Sequence, residues 1–174
     1  MGRPDGTGCA MASDWITRLA DDERKRDDTR LRGTEAAARK ADLVRVHGQR
    51  LLDTLRATMA RDIEAFRIEF PGDEAREIVM EHVQADGGFK IRKPQFPTAT
   101  LDVAPRLNSA AVGCQYRFTP TNGLPPREDR VELGFIGNGG ENLQIKHHGT
   151  GQVFTNADDL SEYLLLPVLT GRPR

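Results

Sequence analysis

The chain has 174 residues, 29 % of them charged and 37 % hydrophobic, with a formal net charge of −1 at neutral pH. That length suits one domain, or one domain with an appendage, and so polar a composition keeps part of the chain outside any core. Near-neutrality excludes a molecule-wide attraction to nucleic acid or anionic membrane, and no apolar run approaches the roughly 18 residues that a membrane span requires.

Residues 1–12 lack the apolar stretch of a secretory signal and read as a disordered leader. Met11-Ala12-Ser13-Asp14 opens directly onto a helix signal and is an alternative start. Cys9 falls in the leader and Cys114 in a later apolar pattern. Two cysteines without metal spacing predict free thiols, hence a reducing, cytoplasmic setting.

Residues 13–70 read as one long charged helix. Ser13 or Asp14 supplies its N-cap, and no proline occurs from there to Phe70. Its only weak points, Gly33 and Gly48, cost about 1 kcal/mol each relative to Ala. Residues 21–32 are almost wholly charged, so they can form a solvated helical stretch held by pairs four residues apart. Beyond them Ala37, Ala41, Val44, Leu51, Leu52, Leu55, Met59, Ile63, Phe66 and Phe70 fall on one broad face. Side-chain size grows along that face, which predicts that the helix enters the core at Phe66 and Phe70. The small residues of Ala36–Ala41 suit close approach of a second helix, hence a dimer. Pro71-Gly72 ends the helix.

Residues 71–174 read as a sheet domain closed by a helix. Residues 75–84 fit either helix or strand. The strand is favoured, because the Asp86-Gly87-Gly88 turn needs one on its near side. Alternation then marks Phe89 and Ile91, Leu101 and Val103, Ala110 to Phe118, Val131 to Phe135, and Leu143 to His147. Each stretch has one apolar and one polar side, and the short connections leave no room for crossover helices. The chain closes with a helix capped by Thr155 or Asn156, with Asp158 and Asp159 in its first turn, Pro167 bending or ending it, and Gly171 stopping it. The expected fold is therefore α+β: a long N-terminal helix with coiled-coil potential, a five- or six-stranded antiparallel meander with one exposed face, and a C-terminal helix on the apolar face.

Chemistry is harder to find. Gly137-Asn138-Gly139-Gly140 follows a strand but precedes another strand, so it is a hairpin turn rather than a phosphate loop. His147 and His148 are adjacent in a strand and point to opposite faces, so they do not converge on a metal with Asp158 and Asp159. Cys114 sits on the apolar side, where a thiol stays protonated. No catalytic residue, cofactor or metal is expected.

The arginines form a clearer pattern. Arg39, Arg50 and Arg61 are spaced by eleven residues, as are Arg45, Arg56 and Arg67, and eleven residues make about three turns. Residues 30–61 carry eight basic side chains against three acidic ones. Such a stripe would sit on phosphates or an acidic partner. Trp15, the one tryptophan, is the candidate anchor for a protein partner. The function expected is non-catalytic: the long helix self-associates, giving a homo-oligomer, or docks a protein partner through Trp15, Arg39, Arg45, Arg50, Arg56 and Arg61. Nucleic-acid binding along the arginine stripe is the second expectation, and an enzyme with a site between sheet and helices the third.

Overall fold

A computed structural model describes residues 11–82, 85–140 and 142–174, and Cys9 and most of the expected leader lie outside them. The chain divides into two compact units, residues up to Arg39 and residues Lys40–Arg174. Helix α1 (Met11–Glu69) supplies the described part of the first unit and opens the second.

In the first unit the helix is exposed almost throughout, as its charge requires. Pairs three residues apart lace it: Asp21–Arg24 at 2.9 Å, Glu23–Arg26 at 2.6 Å and Asp27–Arg30 at 3.1 Å. Ala37 is exposed, and so is Ala41 at the start of the second unit; neither joins the apolar face expected of them.

In the second unit, seven strands form one antiparallel sheet in strict chain order: β1 (Val79–His82), β2 (Phe89–Lys93), β3 (Thr98–Arg106), β4 (Ala111–Thr119), β5 (Arg127–Gly137), β6 (Leu143–His147) and β7 (Val153–Phe154). The count is seven rather than the expected five or six. β7 is only two residues long, too short to show alternation. Of the described residues in 75–84, only Val79–His82 form the expected hairpin strand, with Val79 opposite Arg92 and Met80 opposite Ile91. Ala75 and Arg76 instead belong to a 3-10 turn, Glu74–Arg76, and Val83 and Gln84 lie outside the described residues. Ala110 is not the first inward strand residue that the pattern suggests. It is left-handed (φ 50°) and closes a short 3-10 turn, Leu107–Ser109, just before β4.

Helix α2 (Ala157–Thr170) touches β2, β3 and β7 alike, so the sheet curls to bring strands near both of its ends against one helix. Asn156, rather than Thr155, caps α2. Its Oδ1 accepts from the Asp159 N–H at 2.8 Å, and its amide donates to the Asp159 carboxylate at 2.9 Å. Pro167 is accommodated inside the helix, which runs on to Thr170 and stops at Gly171 in the left-handed region.

The core lies on the concave face. Leu52, Leu55, Met59 and Ile63 of α1 meet Ile91, Leu101, Tyr116, Leu133 and Phe135 of the sheet and Leu160, Leu164 and Val168 of α2. Burying each such side chain contributes about 1.5–3 kcal/mol. The helix does not enter the core at Phe70: that ring is exposed, 5.0 Å from Phe66 and covered by the Arg76 guanidinium at 4.5 Å. The reason is local, since α1 has ended at Glu69 and the chain is already turning at Pro71-Gly72. One inward strand position carries a charge: Lys93 is buried, and its Nζ donates to the carbonyls of Gln95 at 2.7 Å and Pro97 at 3.0 Å.

Candidate interaction surface

The segment 14–39 holds no core of its own, yet carries large apolar side chains. Trp15 is 55 % exposed, Ile16 52 %, Leu19 50 % and Leu31 58 %. Trp15, Ile16 and Leu19 lie within one turn of each other and make an apolar group at one end of an otherwise charged helix. Exposed aromatic and aliphatic side chains in such a group are the usual anchors of protein contacts.

The two arginine stripes differ in their partners. Arg45, Arg56 and Arg67 each pair with an acid three residues earlier: Asp42 at 3.4 Å, Asp53 at 3.7 Å and Glu64 at 2.6 Å. In the other stripe Arg61 bonds both Asp62 at 2.7 Å and Asp158 at 2.6 Å, and the Asp158 and Asp62 hydrogen bonds raise its pKa further. Arg39 and Arg50 have no ion-pair partner among the described residues; Arg39 belongs to the first unit and Arg50 to the second. The sequence shows the stripes but hides this difference, because pairing depends on rotamers and, for Asp158, on the distant placement of α2.

Several basic side chains of the polar sheet face are likewise paired, although Lys146 and Arg130 have no ion-pair partner among the described residues. Lys90 pairs with Asp102 at 3.3 Å, Arg92 with Glu81 at 3.0 Å, Arg117 with Glu128 at 3.7 Å, and Arg106 with Glu132. A polyanion would have to compete with each of these carboxylates.

An open cleft of about 600 Å³ lies in the second unit, lined among others by His47, Arg50, Asn138, Asn142, Gln144 and Asn156. Neither Cys114 nor His147 is among the described residues that line it. Cys114 is buried in the core, and burial pushes its thiol up to about 12, so it stays protonated at neutral pH. His147 is spent on structure: Nδ1 accepts from the N–H groups of Gly149 at 2.9 Å and Thr150 at 3.0 Å, and its ring meets the edge of Tyr163. Burial, then the charge of Arg174, lowers its pKa. His148 lies outside on the opposite face, its ring over Gly134, where a side chain would collide with it. Among the described residues no group of three His, Cys, Asp or Glu side chains is placed to hold a metal, and no helix is long and apolar enough to cross a membrane. No protein-family model, curated protein or solved structure matches the chain.

Proposed function

We propose that this chain is a non-catalytic interaction protein in which the helical segment 14–39 is the docking element and Lys40–Arg174 the stable body. The observation that carries this is the exposed group of Trp15, Ile16 and Leu19 on a helix with no core of its own. A protein partner is favoured over nucleic acid because Arg45, Arg56 and Arg61 already face carboxylates. A free, buried Cys114 thiol suits a reducing cytoplasmic setting. The test is a photo-crosslinking amino acid placed at Trp15 in cells that make the protein, with Arg117 on the polar sheet face as control. A discrete protein adduct from position 15 alone is expected; its absence ends this reading.

A further inference from the structure

We infer that the partner of segment 14–39 is the same segment of a second copy, running antiparallel with its midpoint between Arg26 and Asp27. This rests on the docking role just proposed and names its occupant. At about 100° per residue, Ile16, Leu19, Glu23, Arg26, Asp27, Arg30, Thr34 and Ala37 share a face about 100° wide. Read from either end, this face complements itself. In the antiparallel register Ile16 faces Ala37, Leu19 faces Thr34, Glu23 faces Arg30 and Arg26 faces Asp27. Each large apolar residue meets a small one, and each charge meets its opposite. The exposed Trp15 ring beside Ile16 lies over the small residues of the Ala36–Ala38 run of the second copy.

Within this face every charge meets its opposite about the same midpoint, whereas Asp14, Arg18, Asp21, Lys25, Asp28, Arg32, Glu35 and Arg39 lie about 130° or more from its centre and point away from the second copy. Neighbouring registers lack this property: a shift by one residue sets Arg26 against its own copy or Asp27 against its own copy. A parallel, in-register pair would set every charge against itself. The pairs inside one helix, Glu23–Arg26 and Asp27–Arg30, leave a second carboxylate oxygen free for the facing arginine. The apolar ends supply the attraction and the charged centre fixes orientation, the division of labour seen where charges set helix pairing.

Sedimentation equilibrium of the full chain tests this directly. A dimer is expected at concentrations on the order of 100 µM, within the range of weak specific association. Glu23→Arg or Arg30→Glu alone weakens it roughly tenfold or more, because each acts at two symmetric places. The double variant restores it, with helix content by circular dichroism unchanged. In a Cys9→Ser background, Ile16→Cys and Ala37→Cys proteins crosslink when mixed and oxidised. Ile16→Cys alone does not, since two such positions lie about 31 Å apart in the antiparallel pair. Self-crosslinking of Ile16→Cys, or a dimer indifferent to Glu23 and Arg30, overturns the register while leaving the docking role intact. A monomer whose position 15 captures a different protein overturns the second copy as partner. A monomer that captures nothing ends both.

Discussion

Cys114 and Tyr116 stand two residues apart on β4, and both depend on staying neutral. The Tyr116 hydroxyl donates to the Leu164 carbonyl at 2.9 Å, and burial, then the neighbouring Cys114, raises its pKa above the usual tyrosine value. Unfolding releases both groups to ionise at ordinary values, 9.0 for the thiol against about 12 when folded. Above pH 9 the unfolded state therefore binds fewer protons than the folded one, and stability falls as pH rises toward 12. Each group contributes a slope of about 1.4 kcal/mol per pH unit within its window. Urea midpoints measured between neutral and alkaline pH should show this decline. Cys114→Val should lessen it by about 3 kcal/mol near pH 11, leaving the share that belongs to Tyr116. The position of Cys114 on an inward strand face could be read from alternation. The Tyr116 bond could not, because its acceptor lies 48 residues away on α2.

Helix α1 is one element with two kinds of surface. Leu55 and Met59 are fully buried, whereas Leu31 is 58 % exposed. Leu55→Ala or Met59→Ala should cost about 2–5 kcal/mol, against less than about 0.5 kcal/mol for Leu31→Ala, when unfolding is followed by denaturant titration. Spacing of three and four residues made the apolar face of this helix legible from Val44 to Ile63, and period-two alternation did the same for β2 to β6. Both signals failed at ends. Phe70 fits the helical spacing but falls after the last helical residue, and β7 is too short to carry a period. Lys93 continues the inward series of Phe89 and Ile91, but a lysine gives no sequence signal of burial. Only the fold around it shows the two carbonyls that satisfy its ammonium group.

For the whole molecule, the division at Arg39–Lys40 separates a helical segment from a unit that holds every core side chain among the described residues, Val44 to Val168. A protein beginning at Lys40 should therefore unfold within about 0.5 kcal/mol of the full chain, as for changes remote from a core. Measured by denaturant titration, a larger loss would show that the first unit supports the second. The α+β class and chain order were readable because meander strands are local in sequence. The candidate surface was readable only as residue types: Trp15 and the arginine spacing stood out, but exposure and pairing arise from the folded arrangement.

The strict chain order of the sheet has a consequence for synthesis. The apolar side chains of α1 from Leu52 to Ile63 are made before any strand they cover. At translation speeds of about 5–20 residues per second, roughly 5–20 s pass before Phe154 follows Ile63. Through that interval the nascent helix offers a bare apolar stripe to chaperones and to neighbouring chains. Each hairpin added afterwards covers part of it, so the risk of misassociation declines strand by strand as the chain lengthens.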